Sequence, residues 1–377
     1  MPVEHASIAG AGIAGLTAAL ALARHGIGSD IFEQASELAE VGAGLQLSPN
    51  ASRILRQLGV LSEIEKHWLE PEMIRLVAGD RLRPLAAVPA GRFARDRWDA
   101  PYGVLHRATL QRVLLEAVRS NTLCRLHLGT PFESASLPAG LVIGADGVWS
   151  KMRQHIPGAP SPRFSGNIAY RFTISQASAP DFLDRDNVAA YLGPSAHLVC
   201  YPLKETASFN LVAITGGTDD RHLWDGGAER RQLEILRSRF KGWHPGITSL
   251  FGDIAPTFWP LYEATEGRWQ NGRDRVLIGD AAHAMMPFAA QGAAMAIEDA
   301  FELGAMLSRE DAEQALPRFE ALRTARIARI RKRGAFNRFA YHARGPVRIG
   351  RDIVLSLKPP QSLAADLDWI YGYRPQA

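Results

Sequence analysis

A glycine-rich hexapeptide near the N-terminus places the strictest limit on what this chain can fold into. Residues 10–15 read GAGIAG and match the pattern GxGxxG. They follow a short run of small apolar residues, 6–9, and lead into strong helix formers, 13–25, which Gly26 ends. A strand, a glycine turn and a helix in this order predict the first unit of a parallel α/β sheet, with a nucleotide bound at the turn.

Each glycine of this motif has its own physical reason. Gly10 allows the tight turn, Gly12 lets a pyrophosphate approach the backbone, and Gly15 lets the helix pack closely on the strand. The first N–H groups of the helix then face the phosphates. Glu33 lies at the end of the second predicted strand, 29–32, where its carboxylate accepts hydrogen bonds from an adenosine ribose and disfavours a 2′-phosphate.

The composition predicts a globular, cytoplasmic protein with two lobes. A chain of 377 residues is long enough for more than one core, and 46% hydrophobic with 22% charged residues is ordinary for a globular chain. The net charge of +4 is too small to indicate nucleic-acid binding. Two cysteines, Cys124 and Cys200, cannot form a disulfide framework, which favours a reduced compartment. The uncharged run 6–23 is too rich in small residues for a membrane span or a signal peptide.

The strand and helix patterns predict two interleaved parts. Residues 161–260 contain strand-like segments, 188–192, 197–203 and 209–215, separated by turn residues. The α/β pattern returns after Arg273. We therefore predict a discontinuous nucleotide-binding domain (1–70, 97–160 and 270–309), a sheet-rich substrate domain (71–96 and 161–269) and a C-terminal helical segment (310–377).

The C-terminal segment begins with a predicted helix, 310–343, that is rich in arginine. Its arginines are Arg318, Arg323, Arg326, Arg329, Arg331 and Arg333. We interpret them as a solvated helix face, with anion binding as the alternative.

Three further motifs occur in the rest of the chain. They are VGAGLQLSPN at 41–50, GADGVWS at 144–150 followed by Arg153, and LIGDAAH at 277–283, continuing through Pro287 to Gly292. Asp280 comes at the end of a buried strand, where a carboxylate needs hydrogen-bond donors. A helix cap is the alternative interpretation of Asp280. Gly292 opens a long apolar helix whose first N–H groups can stabilise negative charge.

With these motifs in this order, nearly the whole chain resembles the class A flavoprotein monooxygenases, the family of the para-hydroxybenzoate and salicylate hydroxylases. The resemblance implies an α/β fold with a Rossmann-like FAD-binding lobe of the para-hydroxybenzoate hydroxylase type, a second, sheet-rich substrate lobe and a C-terminal helical segment. It also implies FAD and NAD(P)H as cofactors, with the motif at 144–150 serving both. The predicted FAD-binding residues are Gly10, Gly12, Ile13, Ala14, Gly15, Glu33, Gln46, Arg107, Leu128, Asp146, Asp280, Pro287 and Gly292.

The resemblance gives some of these residues a specific place. Pro287 is expected beside the flavin, and Gly292 is expected at the pyrimidine ring of the reduced flavin. Arg107 is expected to contact FAD, with a surface ion pair as its alternative, and Leu128 to touch the adenine. His283 is expected to be structural and not a catalytic base.

The segment 197–202 reads HLVCYP and carries the predicted chemistry. On a strand, His197 and Tyr201 share one face and Cys200 points the other way. The pattern resembles that of hydroxybenzoate, salicylate and 6-hydroxynicotinate hydroxylases, in which the equivalent positions contact the substrate. We therefore predict His197 and Tyr201 as catalytic residues, with a structural role as the alternative for His197. Gln46 stands where the 6-hydroxynicotinate enzymes are expected to have histidine, which weakens that assignment.

The function implied by the resemblance is hydroxylation of a small phenolic or heteroaromatic acid by O₂ through a flavin C4a-hydroperoxide. Phenols ionise with a pKa of about 10, so a base or hydrogen-bond acceptor beside the hydroxyl is required. Arg171 and Arg81 are candidates for binding a substrate carboxylate. Two alternatives stay open: oxygenation of a larger polycyclic or purine-like substrate, and a non-catalytic FAD-binding sensor of aromatic ligands. We expect no metal, nucleic-acid or membrane partner, and leave open a homodimer and the choice between NADH and NADPH.

Overall fold

A computed structural model describes residues 3–38, 44–132, 140–219, 228–252, 254 and 256–375. The strands are β1 His5–Ala9, β2 Gly28–Phe32, β3 Gly44–Leu47, β4 Met73–Ala78, β5 Arg83–Pro89, β6 Gly103–His106, β7 Cys124–His127, β8 Leu141–Gly144, β9 Pro162–Ser175, β10 Val188–Gly193, β11 Ala196–Leu203, β12 Ser208–Gly216, β13 Thr257–Ala264 and β14 Arg275–Leu277. The helices are α1 Ile13–Ala23, α2 Pro49–Gln57, α3 Leu61–Glu65, α4 Gly91–Trp98, α5 Arg107–Arg119, α6 Ala228–Arg239, α7 Pro245–Ser249, α8 Asp280–His283, α9 Gly292–Leu307, α10 Ala312–Tyr341, α11 Gly345–Leu357, α12 Pro360–Ala365 and α13 Asp368–Tyr371.

A five-stranded parallel sheet carries the glycine motif. Its strand order is β14-β8-β1-β2-β7, and all four pairings are parallel. The predicted strand, glycine turn and helix are confirmed as β1, residues 10–12 and α1. Gly10 has a φ of +100°, which favours glycine. A Cβ on Gly15 would stand 1.9 Å from the carbonyl oxygen of Gly10, so the helix can cross the strand end this closely only with glycine there.

A seven-stranded sheet forms the second layer of the protein. Its order is β13-β9-β12-β11-β10-β4-β5, and only the β10–β4 pairing is parallel among the described strands. The three strands predicted between residues 188 and 215 are confirmed as β10, β11 and β12. One face of this sheet packs on Phe240, Trp243 and Phe251, which follow or lie near helices α6 and α7. The other face meets Phe288, from the turn before α9.

The short β3–β6 sheet lies against the seven-stranded sheet. The backbone N–H of Gly44 donates to the Asn210 side-chain oxygen at 2.9 Å. A Cβ on Gly44 would come within 2.6 Å of the Tyr201 ring, so glycine is needed for this close approach. The described part of the motif at 41–50 is thereby held against the strand that carries Tyr201.

Helix α10 corrects the interpretation of the arginine-rich segment. Arg318 and Arg329 are exposed, as a solvated face requires. Arg323 and Arg326 are buried, however, and both pair with the carboxylate of Glu298 in helix α9. Arg323 also pairs with the carboxylate of Asp299, the next residue of that helix. The prediction of a wholly solvated face is therefore wrong. Within the described ranges, no helix is both long and apolar enough to cross a lipid bilayer.

Candidate active site

The predicted nucleotide-binding residues meet at the carboxyl ends of adjacent parallel strands. Gly10 follows β1, Glu33 follows β2, Asp146 comes two residues after β8, and Asp280 comes three residues after β14. In a parallel sheet these ends lie along one edge, where ligands of α/β folds bind. A cleft of about 620 Å³ opens at this edge. Residues lining it include Gly10, Gly12, Glu33, Asp146, Gly147 and Trp149.

The glycine turn leaves room for a phosphate group. A Cβ built on Gly12 would meet nothing within 4 Å, so the space outside the helix N-terminus is open. Helix α1 has no side-chain cap at Gly12, and its first N–H groups therefore keep their donor capacity. The Glu33 carboxylate accepts the N–H groups of Ala11 and Ala35, each at 3.0 Å, which fixes the turn beside the cleft. These features fit a dinucleotide pyrophosphate.

Asp146 offers an acceptor to the same cleft. Its Oδ2 accepts the N–H groups of Lys151 at 2.7 Å and Met152 at 3.1 Å. Its Oδ1 is buried and has no hydrogen-bond partner among the described residues. A buried acceptor without a donor is costly, and a ligand hydroxyl would supply the donor. This observation fits the sugar-like portion of FAD.

Arg153 connects the motif at 144–150 to the motif at 277–283. Its Nη1 donates to the Val148 carbonyl at 2.6 Å, within the first motif. Its Nε and Nη2 donate to the carbonyls of Ala281 at 2.8 Å and Asp280 at 3.0 Å, within the second. One buried guanidinium therefore sets the spacing between the two motifs. Its structural role was not foreseen from the sequence.

Asp280 is exposed, which corrects the expectation of a buried carboxylate. It is the first residue of the short helix α8, whose N-cap is Gly279 and lacks a side-chain capping bond, so the alternative of a helix cap has no support. Gly279 has a φ of +59°. Its backbone N–H donates to Asp299 at 2.9 Å, which holds the turn from behind. The side chain of Asp280 is thus left exposed, three residues after the end of β14.

The start of helix α9 is built to receive negative charge. Gln291 is its N-cap and makes no side-chain capping bond, so the first N–H groups of the helix point outward unpaired. A Cβ on Gly292 would meet nothing within 4 Å. Pro287 begins the short turn that precedes the helix and is half-buried. This geometry fits the predicted pyrimidine end of a flavin, as an uncapped helix N-terminus attracts an anion.

A buried polar network ties this helix to the segment after β3. Residues 41–43 of the predicted flavin-side motif lie outside the described residues. Within the remainder, Asn50 donates to Gln291 at 3.1 Å and to Glu298 at 2.7 Å, and Gln291 donates to Ser48 at 3.0 Å. The side-chain oxygen of Gln46, on β3, accepts a hydrogen bond from the hydroxyl of Tyr102. The two segments predicted to flank the flavin are therefore cross-linked to each other.

The network continues into an ionic cluster that sequence reasoning missed. Arg323 donates to Asp299 at 2.6 Å and to Glu298 at 2.7 Å, and all three side chains are fully buried. His283 packs in the same place and bonds to Asp299, in keeping with the structural role expected of it. Burial opposes ionisation of Asp299, but the charges of His283 and Arg323 outweigh it and hold the pKa below its usual range. The available signal was a group of acidic residues, Glu298, Asp299 and Glu302, inside a largely apolar helix.

The predicted catalytic residues lie on one face of the seven-stranded sheet. His197 is paired with Ile214 and Tyr201 with Asn210 across β11 and β12, so the two side chains share a face. Cys200 packs in the core on the opposite face, as expected. His197 is only 2% exposed and contacts Phe288 in the turn before α9, with 5.2 Å between ring centroids. Strand β11 thus meets the turn that bears Pro287.

Burial sets the protonation states on this face. It lowers the pKa of His197 well below its usual value, and neighbouring His342 lowers it further, so the imidazole is neutral. It raises the pKa of Tyr201, against the opposing charge of Arg171, so the phenol is protonated. The neutral His197 ring can therefore accept a hydrogen bond, and Tyr201 can donate one.

Arg171 lies beside these residues, and Arg81 does not. Arg171 pairs with Val212 across β9 and β12, which puts it on the face that holds Tyr201. Burial lowers the pKa of Arg171, Tyr201 opposes that effect, and Arg107 adds to it. The Arg171 Nε is buried without a hydrogen-bond partner in the described part of the chain. Arg81 is exposed in the turn between β4 and β5.

Of the thirteen predicted FAD contacts, four line the cleft described above, Gly10, Gly12, Glu33 and Asp146, and the other nine are not among its lining residues. Arg107 is the first residue of α5 and is exposed. Its surface ion-pair alternative has no support, because the Arg107 side chain makes no ion pair in the described ranges. Leu128 comes one residue after β7 instead of on that strand, and it is not among the residues that line the cleft.

Comparison with known proteins identifies the family of the chain. The FAD binding domain family matches residues 4–332. The 3-amino-4-hydroxybenzoate 2-monooxygenase of Streptomyces platensis is 34% identical, over 97% of this chain and 95% of the relative. The 3-hydroxybenzoate 6-hydroxylase 1 of Aquipseudomonas alcaligenes is also 34% identical, over 97% and 96%.

Solved structures share the fold. A salicylate hydroxylase in complex with its substrate aligns with a TM-score of 0.78 at 21% identity, covering 99% of this chain and 96% of that one. HpxO of Klebsiella pneumoniae with FAD and uric acid aligns with a TM-score of 0.79 at 22% identity, covering 96% and 95%.

The fold and the cleft define a flavoprotein of the para-hydroxybenzoate hydroxylase type. The chain belongs to the FAD binding domain family, within the class A flavoprotein monooxygenases. It is an enzyme, an FAD-dependent aromatic-ring monooxygenase that uses NAD(P)H as the reductant.

Proposed function

We propose that this enzyme hydroxylates a hydroxybenzoate, a small aromatic ring that carries both a phenolic hydroxyl and a carboxylate. The observation that supports this most directly is Arg171. Its guanidinium lies on the same sheet face as Tyr201, with its buried Nε unpaired within the described structure. A half-buried guanidinium whose Nε is unpaired can bind a carboxylate through two parallel hydrogen bonds. The names of the two relatives at 34% identity support the same substrate class.

The residues on this face divide the work on such a substrate. Arg171 binds the carboxylate, and Tyr201 donates a hydrogen bond that orients the ring. His197, neutral because of its burial, accepts the proton of the phenolic hydroxyl. The proton must leave because an ionised phenol is far more electron-rich, and therefore more reactive toward an electrophile, than the neutral form.

The predicted cofactor residues hold FAD along the strand ends. The glycine turn and Glu33 receive the adenosine and pyrophosphate, Asp146 and Asp280 the ribityl chain, and the N-terminus of α9 the pyrimidine ring. FAD held by these residues would supply the redox chemistry, with NAD(P)H as the reductant and O₂ as the source of the transferred oxygen atom. Phe288 and Val212 line the substrate face with apolar surface, which keeps water from the reacting groups.

The test is a steady-state assay with matched substrates. Oxidation of NADH or NADPH is followed with 3-hydroxybenzoate and with 3-methylphenol, which lacks the carboxylate, and hydroxylated product is counted by chromatography. We expect stoichiometric product from the acid and little from the methyl compound. Replacing Arg171 with methionine should raise the KM for the acid by roughly 10- to 100-fold, since a hydrogen bond to a charged group is worth about 1.5–3 kcal/mol. It should leave the methyl compound unaffected.

The alternatives give different results in the same assay. One such result is turnover of urate or of a polycyclic phenol, with no turnover of the hydroxybenzoates, hydroxypyridines or anthranilates. That result would indicate an enzyme for larger substrates. Binding of an aromatic acid with no NAD(P)H oxidation would indicate a sensor. Either result contradicts the proposal.

The remaining assignments are also proposals. The division into two domains and a C-terminal segment is supported by the separate sheets, and a cytoplasmic location by the unpaired cysteines. A homodimer is supported by exposed apolar side chains on one helix, α11, because surface patches of this kind mark interfaces. They are Val347, Ile349, Ile353, Val354 and Leu357. Light scattering of the wild-type protein and an Ile349→Glu variant tests the dimer; a monomer in both would contradict it.

A further inference from the structure

The sheet face that carries His197 and Arg171 has an open end. A cavity of about 920 Å³ lies there, and its lining includes Asn167 and Gly216. These two residues pair across β9 and β12, at positions that share the face of Arg171. From Asn167 to Arg171 the extended strand β9 covers about 13 Å. The cavity and the proposed substrate site therefore lie along one continuous face.

The inner end of the cavity reaches His197. Phe288 and His342 line the cavity, and their ring centroids lie 5.2 and 5.1 Å from that of His197. The half-buried side chains of Met285 and Met286 line it as well. Apolar groups of this kind pack favourably against an aromatic ring. Cavities of about 300–1,000 Å³ hold small-molecule ligands, so there is room for one small aromatic acid.

The outer part of the cavity is strongly basic. Among the described residues that line it, five are cationic and one is a carboxylate, an excess as large as the net charge of +4 of the whole chain. The carboxylate, Glu263, already pairs with Arg163 at 2.6 Å. Four of the cations are exposed and make no ion pair with any residue that the structure describes. They are Arg239, Lys332, Arg338 and Arg344.

The charges of these side chains act inside the cavity. Burial, then Arg338 and then Arg344 lower the pKa of His342 to about 4. The His342 ring is therefore neutral at pH 7, and arginine and lysine side chains, which stay charged, set the potential of the cavity. A concave surface lined by charge of one sign focuses the field and concentrates ligands of the opposite charge.

An aromatic acid has a group for each part of this cavity, a carboxylate for the exposed cations and a ring for the apolar floor. We propose that the cavity is the entrance to the substrate face, and that its cations capture the carboxylate of the acid before Arg171 binds it. This inference rests on the proposed function, because it takes an aromatic acid to be the substrate. Arg171 is half-buried and lies further along the face, so the exposed cations act first on an acid that arrives from water.

The capture is expected to depend on ionic strength. The screening length is about 30 Å at 0.01 M salt and about 8 Å at 0.15 M, so the field extends well beyond the cavity only at low salt. Fields of this kind raise association rates by about 10- to 1,000-fold. Charges at the rim of a site act chiefly on the rate of association and on its salt dependence.

The test measures how fast the acid binds to the holoenzyme. 3-Hydroxybenzoate is mixed with the FAD-loaded enzyme in a stopped-flow instrument without NAD(P)H, and flavin fluorescence is followed at about 0.01 M and about 0.5 M NaCl. The association rate constant of the wild-type enzyme should fall by roughly tenfold or more between the two. In an Arg338→Glu/Arg344→Glu variant it should fall by about 10- to 100-fold at low salt, and added salt should no longer lower it. An Arg338→Gln/Arg344→Gln variant, which removes the charges without reversing them, should give an intermediate rate.

Two controls separate the effect of charge from that of packing. 3-Hydroxybenzamide has the shape of the acid without its charge, and its association rate should respond neither to salt nor to the substitutions. An Arg119→Glu/Arg125→Glu variant changes the net charge of the protein by the same amount, at two exposed arginines that do not line the cavity. It should bind the acid at close to the wild-type rate.

Several results would overturn the inference. One is a wild-type association rate at low salt in Arg338→Glu/Arg344→Glu. Another is an equal loss of rate for the benzamide, which indicates a packing role, or for the control variant, which indicates an effect of net charge alone. A third is a reversal that slows only the reduction of the flavin by NAD(P)H, since that assigns the cavity to the reductant.

Failure of the proposed function gives a different result. If the wild-type enzyme neither binds nor hydroxylates any hydroxybenzoate, the proposed function fails. If it hydroxylates the acid but binds it at a rate that does not depend on salt, only the capture by the cavity fails.

Discussion

Replacing Arg323 with methionine is expected to destabilise the folded protein by about 3–5 kcal/mol, the usual cost of removing one partner from a buried ion pair. Methionine keeps the length and the apolar stem of the side chain and removes the charge. Arg323 is fully buried, and it donates to Asp299 at 2.6 Å and to Glu298 at 2.7 Å. Both carboxylates are fully buried as well, so no water is at hand to replace the lost donors.

The two carboxylates are affected unequally. Glu298 keeps Arg326, at 2.9 and 3.1 Å, and the amide of Asn50. Asp299 keeps the ring of His283 and the N–H of Gly279 but loses the guanidinium. Most of the cost therefore falls on Asp299.

This inequality makes the effect depend on pH. In the wild-type protein the pKa of Asp299 is depressed, so its ionisation stabilises the fold above the unfolded pKa of about 4 and loses that effect as the pH falls through the folded value. Without Arg323 the pKa rises. The difference in stability between wild type and variant is therefore expected to be full at neutral pH and to shrink at about pH 4 and below.

Urea unfolding at several pH values, with the FAD concentration held constant, measures this effect. The matched control is Arg318→Met on the same helix, where an exposed arginine pairs with Glu310. Exposed pairs contribute little, so the control should lose less than about 1 kcal/mol. Equal losses in the two variants, or a loss for Arg323→Met that does not change with pH, would refute the reasoning.

Three further substitutions test the cofactor and catalytic assignments. Asp280→Ala should weaken FAD binding at least about tenfold in a flavin fluorescence titration, the effect of one lost charge-assisted hydrogen bond; unchanged affinity removes it from the site. Gly15→Ala should abolish folding, because its Cβ would stand 1.9 Å from a carbonyl oxygen, whereas Gly12→Ala should fold with weaker FAD binding, as judged by circular dichroism and flavin content. His197→Ala should reduce product formation far more than FAD binding, and hydroxylation at the wild-type rate would make His197 structural.

The parts of the fold that follow local rules were predictable. The first strand, the glycine turn and helix α1 are each specified by residues within a few positions of one another. Strand β9, the longest at 14 residues, was not identified. It contains Gly166, and its inward-facing residues include Arg171, so the alternation of apolar and polar residues that signals a half-buried strand is broken. The residue that disturbs the pattern is the one proposed to bind the substrate carboxylate.

The buried arginines show a different limit. Arginines at a spacing of three along a helix predict a solvated face, since charged side chains are rarely buried unless paired. Burial of Arg323 and Arg326 depends on carboxylates in another helix, at Glu298 and Asp299, and no property of α10 alone reveals them. In the sequence, only the acidic residues within the apolar stretch of α9 indicated that buried cationic side chains would have to pair with them.

Asp280 shows that a general rule of parallel sheets outweighs local burial. The strand before it is buried, and this favoured a buried carboxylate. The chain leaves a parallel sheet at the carboxyl end of each strand, however, and that edge is where ligands bind, so a residue placed after β14 can be exposed there, as Asp280 is. In the strand order β14-β8-β1, the carboxyl ends of the strands that precede Asp280, Asp146 and Gly10 lie side by side. Three motifs that are more than a hundred residues apart in the chain must therefore meet at one edge, and a single elongated ligand that contacts all three accounts for their presence together.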